Sequence, residues 1–173
     1  MRVPRKYAVP VFIALIHEKL YQAKELASID FREYLKRLMA VIADTYNRPE
    51  ISLAMDMAEP LALDITVGIP CGLIVNELVS NSYKYGFPEG RKGMIRLGIR
   101  KNSDGDNVLS VEDNGIGFPQ AVDFRNPAAS LGLRIVTVLT SQIHGTIELS
   151  RRAGTKFSIT FPGTSKDKGT DNG

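Results

Sequence analysis

The sequence predicts an α+β protein: a two-layer sandwich in which a mixed sheet carries its helices on one face. Three observations predict it. Several stretches alternate apolar and polar residues with period two, as half-buried strands do. Others repeat apolar residues every three to four positions, as amphipathic helices do. Along the chain these stretches run helix, helix, strand, helix, strands, helix, strands. The 173 residues suffice for one domain with a full core.

Met1 to Pro10 carries two prolines and the basic Arg2, Arg5 and Lys6, and reads as an irregular lead-in. A helix is expected from Val11 to about Glu25, with Phe12, Ile16 and Leu20 on one side. His17 lies on it, and a lone helical histidine reads as structural rather than catalytic. Asp30 followed by Glu33 resembles an N-cap with a reciprocal partner. The helix behind it buries Phe31, Tyr34, Leu35, Leu38 and Ile42 and ends at Asn47, Arg48 and Pro49. Ile51, Leu53, Met55 and Met57 alternate with Ser52, Ala54 and Asp56, marking a strand that Pro60 breaks. Pro70 suits the first turn of the next helix. Cys71, the single cysteine, can form no internal disulfide and reads as a buried, inert thiol.

The stretch from Ile74 to Pro88 organises the rest. Read as a helix, it gathers Ile74, Val75, Leu78 and Val79 into an apolar stripe. Glu77, Asn81 and Lys84 stack at i, i+4 and i+7 on the opposite side, with Tyr85 beside them. A carboxylate can order a proton or water, an amide oxygen can ligate a hard cation such as magnesium, and an ammonium can meet phosphate oxygens. On a lone helix the same row is also what a solvated face looks like.

Gly86 to Gly93 is a turn region, followed by strands at Ile95 to Arg100 and Val108 to Asp113 joined by a polar hairpin loop. Leu109, Val111 and Asp113 share one face, which turns the Asp113 carboxylate toward the core at the strand's end. There it needs a donor, either from the protein or from the amino group of a base such as adenine. Gly115 and Gly117 follow and permit close approach of a flat ligand. From Phe118 to Ala129 there is no periodicity, and a mobile loop, a lid candidate, is expected. Ser130 caps a helix whose N-terminal amides, next to Gly132, could face a phosphate. The plain alternative is a capped helix burying Leu131, Ile135, Val138 and Leu139. Strands from Thr146 to Arg151 and Thr155 to Phe161 close the domain, and Thr155, like Asp113, places a polar group on the apolar face at a strand end. A ligand is expected between the sheet and the helices carrying Asn81 and Ser130. The tail from Gly163 to Gly173 has no apolar residues and reads as disordered.

Several function classes are excluded. A net charge of 22 − 19 = +3, without aromatic and basic residues interleaved, argues against nucleic acid. Two histidines and one cysteine give no metal-ligand spacing. The longest apolar run, Val9 to Ile16, is interrupted by Pro10, is too short to span a bilayer and lacks a small-residue cleavage site, so a cytoplasmic protein without a membrane segment is expected.

Four boxes together resemble the nucleotide-binding boxes of the GHKL superfamily: Asn-Glu-Leu-Val-Ser-Asn-Ser-Tyr-Lys-Tyr at Asn76, Asp-Asn-Gly-Ile-Gly at Asp113, Ser-Leu-Gly-Leu at Ser130 and Gly-Thr-Lys-Phe at Gly154. That superfamily spans gyrase-type ATPases, heat-shock chaperones, mismatch-repair proteins and histidine kinases. Ala14 to Gln22, Ile29-Asp-Phe31 and Phe87 to Gly93 resemble, more narrowly, sensor histidine kinases related to the HWE subfamily. The resemblance implies a Bergerat-type ATP-binding fold. It divides the chain into a lead-in (1–12), a partial dimerisation helix with linker and first domain helix (13–46), the catalytic domain (47–162) and the tail (163–173).

The resemblance further implies that Asp113 binds the adenine amino group with Thr155 in support, that Gly115 and Gly117 shape the base pocket, and that Tyr85 lines the nucleotide. Asn81 would ligate Mg2+, Lys84 would contact phosphates, and Gly132 and Leu133 would lie at the phosphate end of the lid. Glu77 falls where the superfamily ATPases keep their general base. The phosphoacceptor histidine of such kinases lies upstream of the Ala14 segment, so the implied reaction moves the ATP γ-phosphoryl group to a histidine this sequence does not contain. Implied partners are a histidine-bearing helix or protein, a response regulator and, through the half hairpin, a second copy. Two other classes compete: a serine kinase of the anti-sigma-factor type, against which the dimerisation-helix residues speak, and a non-catalytic nucleotide-binding partner module.

Overall fold

The computed structural model describes residues 28–57, 62–126 and 130–163. The expected lead-in, the helix carrying His17, Pro60 and the tail beyond Gly163 lie outside the described residues. The elements in order are β1 (Ser28–Asp30), α1 (Phe31–Tyr46), β2 (Ile51–Met57), β3 (Ala62–Asp64) and α2 (Ile65–Asn81). A π-helical turn, Ser82–Gly86, prolongs α2 and a short 3-10 turn, Pro88–Gly90, follows. Then come β4 (Gly93–Lys101), β5 (Asn107–Asp113), α3 (Leu131–Gln142), β6 (Thr146–Ser150) and β7 (Thr155–Phe161).

Five strands form one sheet in the order β2-β4-β5-β7-β6. β2 pairs with β4 in parallel and every other pairing is antiparallel, so the sheet is mixed, as expected. Period two decides its faces. Ile95, Leu97 and Ile99 of β4, Leu109, Val111 and Asp113 of β5, and Phe157, Ile159 and Phe161 of β7 are buried in the layer shared with the helices. The alternate residues are more open; Lys156 reaches Glu112 across β5 and β7 at 3.4 Å. The helices complete the core through Phe31, Leu35, Leu38 and Ile42 of α1 and Ile74, Val75, Leu78 and Val79 of α2.

Three expectations are corrected, and one strand pair is added that no local pattern indicates. First, Asp30 does cap α1, accepting from the Glu33 amide at 3.1 Å, but the Glu33 carboxylate accepts from Arg37 Nε at 3.1 Å instead of returning to the cap. Second, β1 and β3, three residues each, form a separate antiparallel pair. Third, α2 begins at Ile65, so Pro70 lies inside it and not in its first turn. Asp64 caps this start, accepting from both the amide and the hydroxyl of Thr66. The missing Pro70 N–H costs the Thr66 carbonyl its helical donor. Burial compensates: Gly68, Pro70, Cys71 and Gly72 are all in the interior, and a Cβ on Gly72 would overlap the Tyr34 hydroxyl. Fourth, α3 turns Leu133, Val136 and Thr140 inward, while Leu131 and Val138 stand 68% and 66% exposed.

Candidate functional site

β5 delivers Asp113 to the end of the sheet, where it is 3% exposed. A carboxylate in the interior must be hydrogen-bonded. Its Oδ1 accepts from the Gly115 amide at 3.0 Å and its Oδ2 from the Ser82 hydroxyl at 2.7 Å. Each oxygen keeps room for a second donor. The glycine loop closes tightly around it. The Ile116 amide donates to the Gly86 carbonyl at 2.8 Å, and a Cβ on Gly115 would overlap that same carbonyl. Gly117 holds φ at 86° and Gly154 at 115°, a region costly for side-chain-bearing residues. Gly154 lies so close to the Asp113 carbonyl that a Cβ there would overlap it. Thr155, half-buried, is Asp113's cross-strand partner. Exposed Ile116 and Tyr85, at 60% and 61%, flank the Ile116–Gly86 hydrogen bond and offer apolar surface to a flat group.

The sequence-predicted residues therefore fall into two groups. Asp113, Gly115, Gly117 and Thr155 meet on the sheet side, joined by Gly86, Gly154 and Ser82. Ser82 was not anticipated. Its signal was present, because it lies four residues after Leu78 and so continues the inward face of α2 with a polar group.

The second group lies between α2 and α3. Glu77 and Asn81, one turn apart, both approach Gly132: a Cβ on that glycine would overlap Glu77 Oε2 and lie 4.0 Å from Asn81 Nδ2. Buried Asn76 donates to Glu77 Oε1 at 3.4 Å. A carboxylate beside the first turn of α3 sits at the positive end of the helix dipole. Ser130 caps this turn, accepting from the Leu133 amide at 3.4 Å, and Leu133 itself is buried, so its side chain belongs to the core. Lys84 does not extend the line. The π-helical turn changes the angular spacing after Asn81, and the Lys84 ammonium lies 6.0 Å from the centre of the Tyr46 ring.

Within the segment expected to be a mobile loop, Phe118, Val122, Phe124 and Arg125 make packing and hydrogen-bond contacts with the sheet and with Arg151. Phe118 and Phe124 meet Phe157 edge-on at 5.8 Å and 5.4 Å. Arg125 donates to the Ile147 carbonyl at 2.9 Å, and Arg151 to that of Val122 at 3.1 Å. Elsewhere, burial pushes the Cys71 thiol up to about 12, so it stays protonated and inert, as read from the sequence.

Among the described residues no three His, Cys, Asp or Glu side chains gather to hold a metal, and no helix is long and apolar enough to cross a membrane. The Asn81 side chain, one amide oxygen, fits a hard cation held chiefly by a ligand's own phosphate oxygens.

A mixed sheet covered by three helices, with a buried carboxylate below a glycine loop, has the architecture of a nucleotide-binding sandwich. The chain belongs to the family of histidine kinase-, DNA gyrase B-, and HSP90-like ATPases, whose model matches residues 67–165. A histidine kinase model also matches residues 11–46. Blue-light-activated histidine kinase 2 of Erythrobacter litoralis is 26% identical over 152 residues, covering 83% of this chain and 43% of the relative. Sensor protein BasS of Escherichia coli is 29% identical over 156 residues, covering 79% of this chain and 41% of the relative. The chain thus spans less than half the length of these two curated relatives. Among solved structures, the histidine kinase domain of a blue-light-activated histidine kinase from Erythrobacter litoralis superimposes with a TM-score of 0.79 at 24% identity, over 88% of this chain and 71% of that one. The histidine kinase AdeS of Acinetobacter baumannii gives 0.66 at 19% identity, over 90% and 77%. These likenesses show the fold.

Proposed function

We propose that this chain is the ATP-binding catalytic part of a two-component sensor histidine kinase, acting with Mg2+ and serving a response regulator. Family membership supports the ATPase core, and the names of the relatives support the histidine acceptor. The observation that carries the reading is Asp113: a buried carboxylate held by Ser82 and the Gly115 amide, with acceptor positions left for a base amino group.

In this reading Asp113 and Thr155 select adenine, Gly115 and Gly117 admit the ring, and Tyr85 lines it. Asn81 holds the cation, and Lys84, which lies over the Tyr46 ring, swings away from it to meet phosphate oxygens. Magnesium supplies neutralisation of the charge on the phosphates. Glu77 takes the proton from the attacking imidazole as the bond from nitrogen to the γ-phosphorus forms and the bond to the ADP oxygen breaks. The acceptor is a histidine other than His17 and His144. Such catalysis rests on positioning more than on covalent chemistry.

Calorimetric titration of ATP with and without Mg2+, on the native chain and on Asp113→Asn, tests it. Magnesium-dependent binding, weakened about tenfold or more by the substitution, is expected, because a hydrogen bond to a charged group is lost. Unchanged affinity in the variant would sink the adenine assignment. Incubation with a histidine-bearing acceptor helix should then give an acid-labile phosphoprotein, whereas acid-stable label would point to a serine kinase.

A further inference from the structure

The turn carrying Ser82, Lys84, Tyr85 and Gly86 is a single π-helical turn at the end of α2. Such turns are rare and are found frequently at functional sites. Its carbonyls need partners. Continued in the π pattern, the Tyr83 carbonyl would accept from residue 88, but Pro88 has no N–H. Arg48 replaces that donor. Its Nη1 donates to the Tyr83 carbonyl at 3.0 Å and its Nη2 to the Phe87 carbonyl at 2.8 Å. Its Nε donates to Glu50 Oε1 at 2.7 Å, which fixes the plane of the fork and holds the Glu50 carboxyl below its usual range. Two residues earlier, Tyr46 stacks on Tyr83 with ring centres 4.8 Å apart and planes within 1°.

We propose that Arg48 is a positioning residue for nucleotide binding, clamping the π-helical turn from outside so that Ser82 and Gly86 meet the Asp113 loop from inside. This rests on the nucleotide reading above. The clamp is the guanidinium fork itself. It spans two carbonyls four residues apart, which a single ammonium cannot do with the same geometry. The turn it holds supplies the hydroxyl on Asp113 Oδ2 and the carbonyl that receives the Ile116 amide. Arg48 is distant in sequence from every nucleotide box, and its role is invisible without the fold.

The test uses the full chain, with Arg48→Ala and Arg48→Lys. Amide exchange at Ile116, whose N–H is bound to Gly86, reads the clamp directly; ATP affinity reads its consequence. Arg48→Ala should speed that exchange and weaken ATP binding, each about tenfold. Arg48→Lys should recover little of either. Millimolar methylguanidinium should restore both in Arg48→Ala and change neither in the native chain, a rescue that a general loss of stability would not show. Should Arg48→Ala fail to fold, Arg48→Lys carries the exchange measurement alone. Native exchange at Ile116 in a folded variant overturns the clamp. If exchange quickens but native chain itself binds no ATP, the clamp stands and the nucleotide reading fails.

Discussion

The two ends of the candidate site are built differently. On the sheet side, Asp113 is held by an amide and a hydroxyl, and glycines at 115 and 154 let backbone press against backbone. Little there can move without breaking a hydrogen bond or a close packing contact. Between α2 and α3, Glu77 and Asn81 meet Gly132 only through side-chain ends, and Lys84 stands apart by Tyr46. The end proposed for the base is preformed, whereas the end proposed for the phosphates is left to be completed by its ligand. An arrangement of that kind separates the frame of the site from its chemistry: substitutions on the first side should cost fold and binding together, and those on the second should spare the fold.

Gly154→Ala attacks the preformed side and should have the largest effect. A Cβ there would overlap the Asp113 carbonyl, and φ of 115° is strained for alanine. A loss of about 3 kcal/mol of stability is expected from strain and overlap together. Urea denaturation would measure it, and ATP binding should disappear with it. A variant as stable as the native chain would mean that the sheet side is looser than its contacts indicate.

Gly132→Ala probes the other side with the same chemical change. Here the overlapping atom is the end of the Glu77 side chain, which can swing away. Stability should stay within about 0.5 kcal/mol. ATP affinity should hold while phosphoryl transfer falls roughly tenfold to a hundredfold, because a proton acceptor displaced by about 1 Å loses its alignment. Equal losses in binding and turnover would erase the distinction between the two ends.

The contrast also explains what could be read without coordinates. Strand faces were legible because period two is local: Leu109, Val111 and Asp113 fixed the carboxylate's direction, and Phe157, Ile159 and Phe161 did the same for β7. The Asp30 cap was legible for the same reason. The first half of α2 was not, since Gly68, Pro70 and the β-branched Ile65, Thr66 and Val67 all disfavour a helix and only burial overrules them. The pairing of β1 with β3 joins residues more than thirty positions apart over three residues each, too short to carry a pattern. The inward face of α3 was misjudged because apolar residues lie on more than one side of that helix, and only its seat against α2 selects Leu133 and Val136. Arg48 escaped notice because its carbonyl partners lie 35 and 39 residues away.

The smallest effect sharpens the comparison from outside the site, at the start of the helix that carries both ends. Asp64 caps α2, and the hydroxyl and amide of Thr66 hold its carboxyl below the usual carboxylate range. The folded chain therefore binds this proton less readily than the unfolded chain. Stability from the cap is complete above the ordinary carboxylate range and is lost as pH falls through the depressed folded value. Asp64→Asn keeps an oxygen that can accept from the Thr66 amide but cannot titrate. Its stability near neutral pH should be slightly lower than that of the native chain, because the charge contribution is absent, and its decline in acid should be shallower. Thermal unfolding followed from neutral to acid pH would show this as two curves that converge at low pH. Parallel curves would mean that the Asp64 charge adds nothing beyond the neutral hydrogen bond to Thr66.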